Sequence, residues 1–459
     1  MELRILKKRK TIIFYGLLLF FPGIASQAQG TKDDIYELRQ NVQVLQQEIR
    51  DLKKQLWFYR QYYGEINPDS LQAAHALDTI IEHSFIHRLG IEARPQYVFP
   101  TNPFLQGENE KWMPIRNSFA AHLRYSFQFR PNTIADRIYG GAYQGIGVSY
   151  TTFGEKKQLG DPFSIYLFQG ARIARFSPRL SLNYEWNFGL SAGWKPYDNY
   201  YNSYNGAVGS RMNAYLNAGI YLNWAASRNI DLNLGADLTH FSNGNTKFPN
   251  AGINTTGVKI GLVYNFNREE SDLVKSAYKP FIPRFPKHIS YDLVLFGSWR
   301  RKGVFVGERQ VASPNVYPVA GFNFAPMYNV GYKFRFGVSL DGVYDGSANV
   351  YTENEIVEYG GSGSPRKFLQ PSIEHQLALG LSARAEYVMP YFTIGVGMGQ
   401  NIVGQGDLKG FYQVLALKVK VTRNSFLHIG YNLQNFKTPN YLMLGLGFRF
   451  HNKYPKVRH

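Results

Sequence analysis

A histidine and a serine stand two residues apart at the end of one predicted strand. The strand runs from Ile230 to Ser242, and its apolar row ends in His240 and Ser242. Residues two apart in a strand share a face and lie ~6.5 to 7 Å apart at Cα, so the imidazole can reach the hydroxyl. A serine beside a histidine that a third polar group orients is the minimal apparatus for acyl transfer. The pair therefore indicates ester chemistry at this strand end.

A third polar residue falls on the same face in the next strand. A polar loop, residues 243–252, is followed by a strand whose outer row begins at Asn254 and ends at Phe266. Parity thus groups His240, Ser242 and Asn254 near the top of one hairpin. The structural alternative is that strand ends at a lipid interface often carry polar residues, and that a bare His-x-Ser also occurs by chance.

The elements that must hold this face are long alternating strands. From Met212 to Trp224 apolar and polar residues alternate without a break, and the pattern recurs over residues 332–341, 415–421 and 442–450. Strands of soluble sandwiches usually have about five or six residues, whereas a tilted transmembrane strand needs about 9 to 11. Charged residues in the second row, such as Arg335, suit a polar lumen. The pattern predicts an all-β transmembrane β-barrel in the bacterial outer membrane.

Strand candidates fall into two sets of about eight, residues 86–267 and 289–450. Each set ends in an aromatic residue, Phe266 or Phe450, and the proline-bearing linker 268–288 separates them. Two tandem eight-stranded antiparallel barrels are the first interpretation. One barrel of about sixteen strands is the alternative, because strand counting cannot separate the two. A channel is expected only from the larger barrel, since eight-stranded barrels are filled by side chains.

The segment before the barrels predicts export and a helix. Basic residues at 7–10, an apolar stretch at 11–24 and small residues at positions 26 and 28 predict a signal peptide, residues 1–28. Heptad positions from Ile35 to Leu56 predict a coiled-coil helix over residues 31–62 and a homo-oligomer formed through residues 35–56. A single amphipathic helix is the alternative. Residues 63–85 are predicted to be a periplasmic connector, and residues 451–459 a basic tail.

The composition excludes several chemistries. The chain has no cysteine, which removes disulfides, thiol catalysis and thiolate metal sites. No His-Glu-x-x-His, EF-hand or Walker-type motif occurs, so we expect no cofactor and no metal. The net charge of +18 is scattered along an exported chain, which argues against a nucleic-acid partner.

The predicted hairpin resembles a known signature. His240-Phe241-Ser242-Asn243, followed by Pro-Asn-Ala-Gly-Ile-Asn at 249–254, resembles the site of the outer-membrane lipid A 3-O-deacylases, also called acyloxyacyl hydrolases. The likeness spans residues 88–266, and residues 140–145 and 184–186 look like the larger tandem relatives of that family. The resemblance implies an eight-stranded barrel whose serine and histidine face the outer leaflet, with lipid A of lipopolysaccharide as substrate.

Roles carry over from the resemblance by position. It implies that Ser242 attacks an ester carbonyl, that His240 takes its proton and that Asn250 stabilises the oxyanion. The departure is Asn254, because the best-known members carry a glutamate there. An asparagine can hold a histidine tautomer but offers no full charge to the imidazolium. We therefore expect slower turnover or an acid from another residue, and parity sends Asp237 to the lumen.

The second half lacks this apparatus. Aligning the Lys-x-Pro-Asn turns of the two halves puts Gly430 in place of the histidine and Asn432 in place of the serine. His428 lies nearby but has no serine two residues on. We expect this half to be a structural or substrate-presenting module.

The sequence as a whole predicts an outer-membrane serine ester hydrolase that removes a 3-O-linked acyl chain from lipid A. Two alternatives stay open at this point. One is a non-enzymatic structural or adhesive barrel, and the other is an outer-membrane phospholipase.

Overall fold

Two closed barrels account for most of the chain. The structure is a computed structural model, and it describes residues 43, 46–47, 49–51, 85–131, 133–198, 200–274, 282–306, 309–313, 315–352, 368–436 and 438–455. Each barrel is an antiparallel sheet of eight strands that closes on itself. The prediction of two tandem eight-stranded barrels is confirmed, and the alternative of one barrel of about sixteen strands is wrong.

The first barrel pairs its strands in chain order, and its first and eighth strands pair to close the sheet. The predicted seventh strand, Ile230 to Ser242, has those bounds in the structure. The eight strands are β1 (Phe85–Val98), β2 (Asn117–Phe129), β3 (Tyr143–Thr152), β4 (Gly160–Arg175), β5 (Leu180–Trp194), β6 (Met212–Ala225), β7 (Ile230–Ser242) and β8 (Ile253–Asn265).

The second barrel closes between its first and last strands. Two small hairpins extend from its connections: β10 (Gly303–Val306) with β11 (Arg309–Ala312), and β14 (Tyr351–Thr352) with β15 (Phe368–Leu369). The barrel strands are β9 (His288–Arg300), β12 (Tyr317–Asn329), β13 (Phe334–Asp345), β16 (Leu377–Val388), β17 (Phe392–Val403), β18 (Phe411–Lys420), β19 (Ser425–Gln434) and β20 (Thr438–Phe450).

Strand alternation sorts the side chains between lipid and lumen. In β7, Leu234 is exposed on the outside, whereas Asp237 is buried in the lumen. Lumen charges are paired: Glu185 accepts from Arg124 at 2.5 Å and from Lys259 at 2.9 Å. Buried charges need such partners, and in the first barrel these side chains fill the interior.

The two ends of the first barrel carry connections of different length. The end at which β7 finishes carries the connections 99–116, 153–159, 195–211 and 243–252, whereas the other end has the short turns 176–179 and 226–229 and one longer connection, 130–142. Outer-membrane barrels have long extracellular loops and short periplasmic turns. His240 and Ser242 therefore lie at the extracellular end.

The helices beside the barrels are short. No helix among the described residues is long and apolar enough to cross a membrane. Among the described residues from 85 onward, the α-helices are α1 (Pro103–Gln106) and α2 (Ile134–Tyr139), and the 3-10 helices are Glu270–Leu273, Ile373–Gln376 and Gly406–Leu408.

The predicted N-terminal segments fall largely outside the described residues. The signal peptide and the periplasmic connector up to residue 84 lie outside them altogether. Within the predicted coiled coil the described residues are all helical: Gln43, Gln46, Gln47, Ile49, Arg50 and Asp51. The coiled coil and the oligomer therefore stay predictions.

Aromatic side chains join the two barrels. Trp186 on the outer face of β5 packs edge-to-face on Phe392 of the second barrel, with ring centroids 5.1 Å apart. One step along β5, the Tyr184 hydroxyl lies 3.5 Å from the Tyr387 hydroxyl. The second barrel thus covers an outer face that would otherwise meet lipid.

Candidate active site

His240 and Asn254 are direct cross-strand partners of β7 and β8. His240 Nδ1 donates a hydrogen bond to Asn254 Oδ1 at 2.7 Å. The backbone of Asn254 is also bonded to a neighbouring loop, because the Phe99 backbone N–H donates to the Asn254 backbone carbonyl at 2.9 Å. An amide oxygen only accepts, so this bond places the imidazole proton on Nδ1 and leaves Nε2 as an acceptor.

Ser242 is the last residue of β7 and faces outward like His240. It pairs across the sheet with Ala214 of β6, and both residues are half-buried. Within the described residues the Ser242 hydroxyl makes no hydrogen bond. The histidine and the serine therefore share a face and its surroundings rather than a direct bond, and catalytic contacts are often looser before substrate binds.

Gly252 covers the pair from the following loop. A Cβ on Gly252 would lie 3.1 Å from His240 Cε1, 3.6 Å from Ser242 Cβ and 3.0 Å from the Phe241 carbonyl. Its φ of +72° is in the left-handed region, which glycine adopts without steric cost. Only a glycine fits without displacement, because any side chain would press on the imidazole.

The loop 243–252, hereafter the site loop, holds Asn250 next to the serine. The backbone N–H of Asn243, the residue after Ser242, donates to Asn250 Oδ1 at 2.8 Å. The Asn250 amide nitrogen in turn donates to Asn245 Oδ1 at 3.4 Å. Asn243 closes the loop by donating from Nδ2 to the Lys247 carbonyl at 2.7 Å.

Phe241 anchors the strand end from the lumen side. Phe241 lies between His240 and Ser242 in the sequence, but its side chain is buried on the opposite face of the strand. Its ring centroid is 5.0 Å from that of Trp194 and 5.4 Å from that of Tyr215. Well-packed aromatic contacts fix the backbone to which both outward residues are attached. The sequence signature contains Phe241 and Gly252, but no role was predicted for either residue. The signals were present in the unbroken alternation of β7 and in a glycine two residues before Asn254.

The remaining candidates lie on the wrong face. Asp237 points into the lumen, where its carboxylate lies 2.7 Å from Arg94 Nη1, so it supplies no acid to His240. In the second barrel Gly430, Asn432 and His428 all occupy the lumen row of β19. The positions aligned with the histidine and the serine thus do not face lipid there.

The arrangement has the parts that acyl transfer needs. A hydroxyl and an oriented imidazole share one outer face, and an asparagine amide stands beside the residue that follows the hydroxyl. Among the described residues no group of three or more His, Cys, Asp or Glu side chains could hold a metal ion.

Each barrel matches a family model. Residues 119–263 match "Lipid A 3-O-deacylase (PagL)", and residues 289–452 match "Acyloxyacyl hydrolase, C-terminal domain". Fold and matches together define an outer-membrane barrel hydrolase that acts on acyl esters of lipid A. The chain belongs to the lipid A 3-O-deacylase and acyloxyacyl hydrolase family.

Solved outer-membrane proteins are also similar. Neisserial surface protein A shows 12% identity and a TM-score of 0.26, covering 40% of this chain and 98% of that one. The outer membrane enzyme PagL shows 15% identity and a TM-score of 0.24, covering 38% of this chain and 97% of that one. No curated protein sequence gives a significant match.

Proposed function

We propose that this chain is a serine ester hydrolase that removes a 3-O-linked acyl chain from lipid A. Ser242 is the nucleophile, His240 the general base, Asn254 the residue that orients the histidine, and Asn250 the oxyanion donor. The observation that carries the proposal is the 2.7 Å hydrogen bond from His240 Nδ1 to Asn254 Oδ1, on the lipid-facing side and two residues from Ser242. That face meets the outer leaflet, which contains the family's substrate.

Acylation begins at His240, whose Nε2 can accept a proton because the bond to Asn254 keeps the imidazole proton on Nδ1. His240 Nε2 removes the Ser242 hydroxyl proton while Oγ forms a bond to the ester carbonyl carbon. The tetrahedral intermediate then collapses and its bond to the sugar oxygen breaks. That oxygen takes the proton from the imidazolium, which leaves an acyl group on Ser242 and a free sugar hydroxyl.

Asn250 acts on the charge that develops between these steps. Its Oδ1 is fixed by the Asn243 N–H at 2.8 Å, which sets the direction of its amide nitrogen. That nitrogen carries two hydrogens, one for Asn245 Oδ1 and one for a developing oxyanion. A donor held in place beforehand stabilises the transition state without reorganising during the reaction.

Deacylation uses the same groups with water as the nucleophile. His240 Nε2 removes a proton from water while the oxygen attacks the acyl carbon, and Ser242 Oγ takes that proton as it leaves. The products are a fatty acid and the starting enzyme. Since the site lies at a strand end rather than in mid-membrane, water reaches it from the headgroup region.

A test of the proposal separates it from the two alternative functions. Purified protein is incubated in parallel with lipopolysaccharide and with phospholipid vesicles, and released fatty acids and lysophospholipids are quantified beside a Ser242→Ala variant. We expect fatty acid from lipopolysaccharide alone, and none from the variant. Lysophospholipid release with intact lipid A would indicate a phospholipase, and equal inactivity of both proteins would indicate a structural barrel.

A further inference from the structure

The site loop touches the second barrel at its extracellular end. A Cβ on Gly244 would lie 3.7 Å from Leu442 Cβ and 3.7 Å from Tyr431 Cε2, so the loop backbone rests on these two side chains. Beside it, Asn245 Nδ2 donates to the Asn440 carbonyl at 3.5 Å. The barrel without a catalytic pair thus contacts the loop that carries the oxyanion residue.

Asn245 connects this contact to the site. Its side chain donates to the second barrel through Nδ2 and accepts through Oδ1 from Asn250 Nδ2 at 3.4 Å. Gly244 and Asn245 both have left-handed backbones, with φ of +62° and +64°. Two successive residues of this conformation make a sharp turn that brings the Asn245 side chain between the barrels.

The second barrel offers a fixed surface at this point. The Asn440 side chain accepts from Arg300 Nη1 at 2.8 Å and donates to Asn432 Oδ1 at 3.1 Å. Arg300 is paired with the buried Asp345 at 2.9 Å. The carbonyl that meets Asn245 therefore belongs to a strand end held by several polar contacts.

We propose that the second barrel positions the oxyanion residue of the first through Asn245, Tyr431 and Leu442. The inference rests on the function proposed above. These three are positioning residues, since they reach the reaction only through Asn250. A misplaced oxyanion donor weakens transition-state binding more than substrate binding, so their loss lowers kcat more than it raises KM.

Two cross-strand pairs on β19 and β20 supply the variant and its control. Tyr431 pairs with Leu442, and on the same outer face Leu427 pairs with Leu446 nearer the periplasmic end. The double variant Tyr431→Ala/Leu442→Ala should lower kcat by ~10-fold or more with KM within about twofold, because small displacements of catalytic groups are costly. The control Leu427→Ala/Leu446→Ala should have the wild-type kcat. The single variant Tyr431→Phe, which keeps the ring and leaves Leu442 intact, should also have the wild-type kcat.

Each outcome decides between explanations. Unchanged kcat in the Tyr431/Leu442 variant, with an active wild type, overturns this inference and leaves the proposed function standing. An equal loss in the Leu427/Leu446 control also overturns it, because the effect would then be general destabilisation. If wild type and Ser242→Ala are equally inactive, the proposed function fails and this inference with it.

A cavity of about 380 Å³ opens at the periplasmic end of the second barrel. It is lined by the turns around Tyr391 and Arg423 and by the C-terminal segment at Asn452 and Tyr454. Its volume lies within the range of small-molecule sites. Tyr139 of α2 closes one side from the first barrel.

The cavity is strongly cationic. Its lining includes Lys418, Lys420, Arg423 and Arg449, and the described part of that lining contains no carboxylate. Deeper in the lumen, two carboxylates neutralise part of this charge: Asp292 lies 2.8 Å from both Lys418 and Arg449, and Glu386 lies 2.6 Å from Lys418. Among the described residues no carboxylate pairs with Lys420. A positive excess around an open cavity suits a phosphate-bearing anion.

We infer that this cavity binds a phosphate group, either of an inner-leaflet phospholipid or of a free anion. Binding of inorganic phosphate is measured by titration calorimetry, and retention of phosphatidylglycerol by mass spectrometry of protein extracted from mixed vesicles. Lys420→Ala/Arg423→Ala should weaken whichever occurs by ~10-fold, consistent with loss of two charge-assisted contacts. Arg228→Ala/Lys333→Ala removes the same charge from other turns at this end and should change neither.

The two arms identify the source of the phosphate. Phosphatidylglycerol retention without phosphate binding assigns a lipid headgroup, and phosphate binding without lipid retention assigns a free anion. Absence of both, or an equal loss in the Arg228/Lys333 control, would overturn the inference.

Discussion

Replacing Asn254 by aspartate tests how the histidine is oriented. The two side chains have the same shape, so the 2.7 Å contact with His240 Nδ1 is retained while its acceptor gains a full charge. A hydrogen bond to a charged group has a net stabilising free energy of about 1.5 to 3 kcal/mol, whereas one between neutral groups has about 0.5 to 1.5 kcal/mol. The imidazolium that forms during acylation should therefore be stabilised by about 1 kcal/mol more, or ~5-fold in kcat.

The assay is the initial rate of fatty-acid release from lipopolysaccharide. Asn254→Asp should raise kcat, because a carboxylate stabilises the imidazolium that forms during acylation. Asn254→Ala is the opposing variant and should lower kcat by ~100-fold or more through loss of the correct tautomer. If the alanine variant keeps the wild-type rate, Asn254 does not orient the histidine. A lower rate in the aspartate variant with unchanged folding would refute the electrostatic argument.

Three neighbouring contacts give further predictions. Gly252→Ala should cost about 1 to 2 kcal/mol in backbone strain and displace the imidazole, so activity falls steeply; activity equal to wild type would mean that the loop does not cover the pair. Asn250→Ala should lower kcat by ~100-fold with little change in KM, and a rise in KM alone would assign it to substrate binding instead. Glu185→Gln removes a buried carboxylate facing Arg124 and Lys259 and should cost about 3 kcal/mol in stability, seen as a lower temperature of heat unfolding on gels. An unchanged unfolding temperature would show that this charge does not stabilise the barrel.

The hairpin that carries the site was predictable because its side chains obey a period of two. Alternation in β7 predicted the bounds Ile230 to Ser242, and the same parity placed Asn254 on one outer face with His240, its cross-strand partner in the structure. The direction in which each residue points is local information. A sequence pattern of this kind is strong when one face meets lipid, because a slip by one residue would turn every side chain to the wrong side.

The sequence favoured two barrels but left one barrel of about sixteen strands open, because barrel closure depends on which distant strands pair. β1 pairs with β8, and six other strands separate these two along the chain. No local sequence pattern distinguishes that pairing from a sheet that continues from β8 into β9. The contact between the barrels was missed for the same reason. Trp186 has the pattern of a lipid-facing aromatic residue, yet it packs on Phe392. In the sequence, Asn245 is likewise an ordinary turn residue. Its hydrogen bond to the second barrel is visible only in the structure.

The central claim is that Ser242 cleaves an acyl ester of lipid A. Its most direct test is the mass spectrum of lipid A after incubation of lipopolysaccharide with the purified wild-type chain and with Ser242→Ala. We predict that the wild type shifts the spectrum by the mass of one acyl chain, with the 3-position freed, and that the variant leaves it unchanged. Identical spectra for both proteins, or the same shift with Ser242→Ala, would contradict the claim.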